Sequence, residues 1–308
     1  MATSTKPAST LWVIIAFALV YVVWGSTYFF IQMAIHGFPP FLMGATRFMG
    51  AGALMLAWCA IKGDKLWVKK DVATAAISGC LMLVGGMGIV IWAERTIPSA
   101  MVAIIISIGP LWFVVLDKPN RSKNLRSVSI VGGLIVGFAG VCLLFGEAIL
   151  QSMHGDFTRE QLISLGLLIF GPGIWALGGL YSKKRPGSSP ARLTTAWQML
   201  VAGIVYLPIS ALHNEFDGFN AATVPLQAWL AIAFLIVFGS IVAFTAYVWL
   251  LSVRPATQVS THAYVNPIIA VLLGVWAGNE EISMWQIAGL GIILLSVLLI
   301  NYKQYTKK

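Results

Sequence analysis

Three polar side chains recur every four residues in one apolar stretch late in the chain. Gln258, His262 and Asn266 stand at positions i, i+4 and i+8, so a continuous helix would carry them on one face. Polar side chains are costly inside a membrane and usually face the interior of a helix bundle or a cavity. The spacing therefore predicts a row of substrate-binding groups. Hydrogen bonds that only join helices are the alternative interpretation.

Aromatic side chains form a second set of candidate substrate contacts. Trp24 and Tyr28 lie one helical turn apart within the first apolar run, and Trp92, Trp175 and Trp249 follow at related positions. Most membrane Trp and Tyr residues lie at the lipid–water interfaces, which is the competing interpretation. In a cavity, such rings would bind aromatic or aliphatic groups by stacking and apolar contact.

One cation and three prolines are candidates for gating or bending. Arg47 lies within the second apolar run, where an arginine costs roughly 2.5–3.5 kcal/mol on insertion scales. It could contact a substrate carboxylate, form an outer gate, or simply anchor its helix by packing. Pro110 and Pro267 are expected inside helices, where each frees a backbone carbonyl and permits a kink. Pro172, in a Gly-Pro-Gly run, is a third candidate hinge.

The composition requires that membrane helices position these groups. Of the 308 residues, 58% are hydrophobic and only 10% are charged, whereas soluble domains carry about 25% charged residues. A soluble fold of this size could not hide so much apolar surface. The net charge of +9 is explained by basic cytoplasmic loops, so no nucleic-acid partner is expected. Cys59, Cys80 and Cys142 fall in apolar stretches and indicate packing, not a disulfide framework.

Ten apolar runs are long enough to cross a bilayer, which requires roughly 20 residues. The predicted fold is therefore an all-α integral membrane protein with ten transmembrane helices. The predicted spans are 11–35, 40–61, 72–93, 98–116, 126–146, 161–182, 191–212, 226–251, 256–277 and 284–302.

The basic residues predict the orientation of these spans. Nearly all of the 20 lysines and arginines fall in the termini and in alternate loops. Ten spans place all of these segments on one side of the membrane, and loops rich in Lys and Arg face the cytoplasm. The chain is thus expected in a bacterial inner membrane with both termini cytoplasmic.

The sequence also repeats itself. Residues 96–113 align without gaps with residues 253–270, and this alignment pairs Pro110 with Pro267. The chain therefore divides into two five-helix units, 11–146 and 161–302. Because five is odd, the second unit must enter the membrane inverted. Inverted repeats are typical of transporters, with the substrate site near the membrane midplane between the repeats.

The repeated motifs resemble the drug/metabolite transporter superfamily, specifically its EamA-type ten-helix branch. The matching positions are Trp24-Gly25-Ser26, Pro40, Arg47, the run 94–110, the run 252–267, and Glu281, Gln286 and Gly289. Aromatic amino acid exporters are among the proteins closest in appearance. The resemblance implies export or exchange of small metabolites, chiefly aromatic or other hydrophobic amino acids.

The expected mechanism is alternating access around a central cavity lined by spans 1, 3, 4, 6, 8 and 9. No Asp or Glu lies deep in a predicted span, which favours uncoupled export. A proton-coupled drug or metabolite efflux carrier, using Glu94 or His262, is the alternative. Channels and intramembrane enzymes are rival classes, but the four histidines are scattered and HExxH, GxSxG and CxxC motifs are absent. We therefore expect a monomer in the lipid bilayer that binds a small molecule, with no enzyme activity, metal or cofactor.

Overall fold

The computed structural model describes residues 9–97, 99–146, 157–278 and 283–305. All regular elements in those ranges are helical. They are α1 (Thr10–Ile35), α2 (Pro40–Ile61), α3 (Lys69–Ala93), α4 (Ser99–Ile106), α5 (Gly109–Leu116), α6 (Lys118–Leu125), α7 (Val128–Leu144), α8 (Arg159–Lys184), α9 (Ala191–Leu212), a 3₁₀ turn (Ala221–Thr223), α10 (Leu226–Val253), α11 (Ala256–Val259), α12 (His262–Gly278) and α13 (Met284–Tyr305). Pro98, within the first repeated run, and Glu281 lie outside the described residues.

Most of these helices are suited to a lipid environment. Within the described ranges, seven are long and apolar enough to cross a membrane, or eight if α6 and α7, which meet at 87°, form one span. Large apolar side chains such as Leu11, Phe170 and Leu298 are exposed on the helix surfaces, which water would disfavour and lipid tolerates. The chain is therefore an all-α, multi-pass membrane protein. The predicted fourth and ninth spans are each broken into shorter helices.

The ends of α2 and α9 match their predicted bounds because local chemistry fixes them. Pro39 and Pro190 occupy the N-cap positions of the two helices, where a missing backbone N–H costs little. Gly63 follows the C-cap of α2 with φ of +73°, and Asn214 follows that of α9 with φ of +55°. Gly and Asn are the residues that most readily adopt this left-handed conformation at a helix end.

Pro110 was expected inside a continuous helix, but the predicted fourth span is broken just before it. The backbone N–H groups of Ser107 and Ile108 bond to the carbonyls of Ile104 and Ile105, three residues back. This tighter 3₁₀ geometry ends α4. Pro110 then lies in the first turn of α5, where its lack of an N–H is harmless. It starts a new helix and does not kink a continuous one.

The predicted ninth span is broken in a different place. α11 ends at Val259, and the N–H of Ala263 bonds to the carbonyl of Ser260. Pro267 lies inside α12, as predicted, but downstream of this break. The prediction of equivalent kinks at Pro110 and Pro267 is therefore wrong, because Pro110 starts a helix whereas Pro267 lies inside one.

Two helices contain π-helical turns. These are Cys80–Gly86 in α3 and Leu235–Val242 in α10. A π turn inserts an extra residue into the helix and often marks a functional site. Because the insertion shifts every later side chain around the helix axis, it changes which residues face the bundle interior.

The helices pack in matched pairs. α1 packs against α10 and α12, whereas α8 packs against α3 and α5; α2 lies along α9, and α7 lies along α13. In the numbering of the predicted spans, span 1 meets spans 8 and 9, and span 6 meets spans 3 and 4. Spans 2 and 7 meet each other, as do spans 5 and 10. The contacts of span 1 with spans 8 and 9 therefore correspond to those of span 6 with spans 3 and 4, with the two halves of the chain exchanged.

Two carboxylates in loops, one in each half of the chain, bind the first turn of a helix in the other half. After α2, Asp64 accepts hydrogen bonds from Arg192 Nε at 2.7 Å and Nη2 at 2.6 Å, in the first turn of α9. These bonds hold the pKa of the Asp64 carboxyl below its ordinary value. After α9, Glu215 accepts from the backbone N–H groups of Phe41 at 3.1 Å and Leu42 at 2.8 Å, in the first turn of α2. Each carboxylate thereby fixes the start of a helix in the other half of the chain.

Candidate functional site

A cavity of about 110 Å³ lies among α1, α2, α3, α4, α5, α8 and α12. Seven of the predicted site residues line it, namely Trp24, Tyr28, Arg47, Pro172, Trp175, His262 and Asn266. The helices come from both halves of the chain. α10, in the predicted eighth span, does not line the cavity but stands behind its wall.

Aromatic rings form one side of the cavity. The indole of Trp24 meets Trp175 edge to face, with centroids 5.6 Å apart, and meets the ring of His262 in the same way at 5.0 Å. Tyr247 lies behind both indoles, 4.9 Å from Trp24 and 5.6 Å from Trp175. Its hydroxyl accepts a hydrogen bond from Trp175 Nε1 at 2.8 Å. The cluster is held by directional contacts, so its rings present fixed faces to a ligand.

The π turns bring the tryptophans close to the opposite half of the chain. Trp24 Nε1 donates to the carbonyl of Gly239 at 3.0 Å, within the π turn of α10. In the other direction, a Cβ atom placed on Gly86, within the π turn of α3, would lie only 3.0 Å from Cβ of Trp175. Each tryptophan therefore contacts a glycine from the other half. A Cβ atom on either glycine would approach a neighbouring side chain to 3.0–3.1 Å, closer than ordinary contact.

Arg47 contributes a positive charge to the wall. Its side chain is only 4% exposed, and its Nε donates to Ser240 Oγ at 2.9 Å. Within the described part of the chain, the guanidinium forms no ion pair with a carboxylate. A buried cation with a single hydrogen bond retains unused donors.

His262 and Asn266 place unpartnered polar atoms on another part of the wall. Asn266 is 5% exposed, and neither its Oδ1 nor Nδ1 of His262 has a partner among the described residues. Buried polar atoms are normally satisfied, and each one that is not calls for an explanation. Both residues line the cavity, so these atoms are placed where a hydrogen-bond partner inside the cavity can reach them.

Five other predicted residues do not line this cavity. Gln258 is separated from His262 by the break between α11 and α12, so the three polar residues do not share one continuous helix face. Pro110 and Pro267 are buried beside the cavity wall. Each directly follows a lining residue in the chain, Gly109 and Asn266 respectively.

Trp92 and Trp249 are the remaining two. Trp92 lies at the end of α3, stacked on Phe41 at 6.2 Å and covered by the guanidinium of Arg95 at 4.7 Å. Trp249 packs at the edge of the large apolar core. Both recur in the repeated sequence, but equivalence in a repeat does not specify which way a side chain faces.

Several residues that line the cavity were not among those predicted from the sequence. They include Thr27, Gly86, Phe113 and Ser260. Thr, Gly and Phe are common at ordinary helix–helix contacts, so the residue types of the first three do not indicate a cavity. Ser260 lies in the break before α12, which no Gly or Pro at that point predicts. Helical spacing could have identified Thr27, because it lies three residues after Trp24.

Glu94 stands at one end of this region, just beyond the last residue of α3. It is four residues after Val90, which lines the cavity, and therefore lies one turn further on the same face. Its Oε1 is enclosed and has no hydrogen-bond partner among the described residues. Burial raises the pKa of the Glu94 carboxyl to about 7.

The site offers aromatic faces, acceptors and one guanidinium. The described residues contain no group of three or more His, Cys, Asp or Glu side chains that could hold a metal ion. The arrangement is suited to binding an amphipathic solute by apolar contact and hydrogen bonds.

Comparisons with known proteins agree with this picture. A profile of the EamA-like transporter family matches residues 11–146 and 162–302. The chain is 34% identical over 292 residues to the "Uncharacterized inner membrane transporter YedA" of Escherichia coli K12, covering 94% of this chain and 90% of that protein. It is 22% identical to the "Uncharacterized transporter YoaV" of Bacillus subtilis, covering 90% and 92%.

A solved crystal structure shares the fold, with a TM-score of 0.76 at 19% identity over 97% of this chain and 99% of the other. The resemblance found in the motifs is confirmed by these matches, and they support a role as a transporter. The chain belongs to the EamA-like transporter family.

Proposed function

We propose that the protein exports small organic metabolites, chiefly amino acids with aromatic or other hydrophobic side chains, by alternating access around the central cavity. The observation that carries the proposal is the composition of the cavity wall. The rings of Trp24 and Trp175 lie on one side, and the unpartnered polar atoms of His262 and Asn266 lie beside them. An amino acid has an apolar side chain and a polar head that match these two regions.

The size of the cavity favours a small solute. Its volume of about 110 Å³ is well below the roughly 300–1,000 Å³ of clefts that bind drug-sized ligands. A bulky drug would require the helices to separate before it could bind. A small metabolite fits with much less rearrangement.

The proposal includes ten membrane crossings arranged as two inverted repeats. The contacts of Asp64 and Glu215 support it, because these residues are 151 positions apart and each binds the start of the other half's second helix. Trp24 and Trp175 are separated by the same 151 positions. An inverted pair of repeats would bring equivalent residues together in this way at a central axis.

Alternating access requires contacts that close one end of the cavity and can separate. The Tyr21 hydroxyl and Thr261 Oγ1 form a hydrogen bond of 2.6 Å that joins α1 to the break between α11 and α12. In the orientation proposed here, with both termini in the cytoplasm of a bacterial cell, this contact lies on the cytoplasmic side of Trp24. The broken helices supply the hinges, since fewer backbone hydrogen bonds hold them straight. The transporter is proposed to act as a monomer without nucleic acid, metal or cofactor.

Counterflow in proteoliposomes tests this function. Vesicles containing the purified protein are preloaded with unlabelled amino acids, and uptake of the labelled compound is followed without an ion gradient. Saturable counterflow of hydrophobic amino acids is expected. Lack of counterflow with every aromatic and aliphatic amino acid would refute the proposal.

One observation favours a second candidate function, proton-coupled efflux of drugs or metabolites. The enclosed, unpartnered Oε1 of Glu94 is a group that could take up and release a proton near the cavity. Transport that occurs only under an imposed pH gradient, and is lost in Glu94→Gln, would favour this coupled mechanism over uncoupled export.

A further inference from the structure

Arg47 is a buried cation that forms no ion pair within the described part of the chain. It is 4% exposed, and none of the carboxylates in the described parts of the chain forms an ion pair with it. Removing a guanidinium from water is expensive unless a counter-charge or several hydrogen bonds compensate. The one bond from Nε to Ser240 Oγ, at 2.9 Å, compensates only in part.

The surroundings hold the guanidinium in place without occupying its remaining donors. Ser240 fixes the Nε side. A Cβ atom on Gly239 would lie 3.1 Å from both Nη2 of Arg47 and Cγ2 of Thr27, so the absence of that atom leaves room for the Arg47 side chain. The side chain also lies over the ring of Phe48, with Cζ 5.0 Å from the centroid. The two Nη groups donate no hydrogen bond to the described residues, and Arg47 lines the cavity.

We propose that Arg47 is the specificity-determining anion anchor of the cavity, and that it binds the carboxylate of the transported solute through its two Nη groups. A guanidinium presents parallel N–H donors that match the two oxygens of a carboxylate. This assignment rests on the proposed function and adds to it a strict requirement for a free carboxylate.

The remaining polar atoms of the wall complement that role. Asn266 Oδ1 is an acceptor without a donor, and His262 Nδ1 also lacks a partner and accepts in the tautomer protonated at Nε2. An ammonium group supplies up to three donors. With the carboxylate at Arg47 and the ammonium near α12, the side chain of an amino acid would extend towards the indoles of Trp24 and Trp175. The cavity would thus distinguish amino acids from amines that lack the carboxylate.

Competition by analogues on the wild-type protein tests this assignment and does not depend on the folding of a variant. Counterflow of labelled L-phenylalanine is measured against unlabelled L-phenylalanine, L-phenylalaninamide and phenethylamine, the last two of which lack a carboxylate. Loss of charge-assisted hydrogen bonds should weaken competition by roughly 10- to 100-fold. Equal competition by all three compounds would overturn the assignment but leave amino acid transport intact. Absence of any amino acid counterflow would overturn the proposed function itself.

Two variants then separate recognition from structure. Arg47→Gln should remove the preference for L-phenylalanine over phenethylamine, and Arg47→Lys should retain part of it because the charge remains. A structural defect alone would lower transport without changing that ratio. Arg95→Gln is the matched control, because Arg95 is exposed and does not line the cavity. An unchanged ratio in a folded Arg47→Gln protein would contradict the assignment.

Discussion

The indole rings of Trp24 and Trp175 meet edge to face, with centroids 5.6 Å apart and planes at 82°. The two residues lie 151 positions apart, at equivalent points of the repeated sequence. Both line the cavity, and each contacts a glycine in a π turn of the other half. The contact therefore joins the two halves of the chain at the proposed substrate site.

Replacing Trp24 with phenylalanine should weaken substrate binding. The ring would remain, but the hydrogen bond from Nε1 to the carbonyl of Gly239 would be lost, which frees the ring to rotate. The half-saturation concentration for counterflow should rise roughly 2- to 12-fold, the effect of one ordinary hydrogen bond. Trp12→Phe, at a side chain that is 63% exposed on α1, should leave it unchanged. Equal values for both variants would contradict a role for the Trp24 contact.

Asn266→Leu should separate stability from transport. The substitution removes a buried acceptor that has no partner, so the melting temperature in detergent should stay the same or rise. Counterflow should be lost, because the acceptor proposed for the ammonium group is gone.

Gln198→Met provides the matched control for Asn266→Leu. It also removes an unpartnered buried oxygen, together with the bond from Gln198 Nε2 to Ser78 Oγ, so it is the control for transport and not for the melting temperature. Gln198 does not line the cavity, so transport should persist. Normal counterflow in Asn266→Leu would exclude this residue from substrate binding.

Glu94 should make stability depend on pH. Burial raises its pKa from 4.5 to about 7, so between these values the folded protein holds a proton that the unfolded chain has released. Stability should therefore fall as pH rises from 4.5 to 7, and this residue should cause no further fall above pH 7. Melting temperatures measured across this range should show a slope that Glu94→Gln reduces.

The control for Glu94→Gln is Glu160→Gln, at an exposed residue in the first turn of α8. It should leave the pH dependence of the melting temperature as it is in the wild type. The same slope in Glu94→Gln and the wild type would show that Glu94 does not bind this proton.

Labelling of single cysteines tests the proposed orientation. In a background with Cys59, Cys80 and Cys142 replaced, Asp217→Cys should react with a membrane-impermeant maleimide in intact cells. Lys65→Cys should react only after the membrane is permeabilised. Both positions are exposed in loops of the described structure, so burial cannot explain a difference. Reaction of both in intact cells would contradict the inverted arrangement of the two halves.

The sequence predicted the long helices well because their ends are encoded locally. Prolines at the starts of α2 and α9, followed by Gly63 and Asn214 at their ends, fix both helices to the residue. The break before α5 lies next to Pro110, where the sequence predicts a kink, but the break before α12 lies upstream of Pro267 and was not predicted. At the second break the carbonyl of Ser260 accepts a 3₁₀ bond from the N–H of Ala263, and neither Gly nor Pro stands between Ala256 and Ala263 to predict it.

Site residues could be predicted from the sequence only where their type is rare in a membrane span. Arg47 and His262 stand out because charged and titratable groups are rare within membrane spans. Gly239 and Ser240 do not stand out, although they hold Trp24 and Arg47 in place. Their role depends on the π turn of α10, and the apolar pattern of that helix gives no sign of it.

Counterflow by Gly109→Phe tests the central claim most directly, because this residue lines the cavity and its substitution fills the space. A Cβ atom on Gly109 would meet its neighbours at 3.6 and 3.8 Å, which is ordinary contact, so the helix can accept a side chain there. Gly132→Phe is the control, because a Cβ atom on Gly132 meets nothing within 4 Å. We predict saturable amino acid counterflow in the wild type and in Gly132→Phe, and none in folded Gly109→Phe. Wild-type transport by Gly109→Phe would show that the solute does not pass through this cavity.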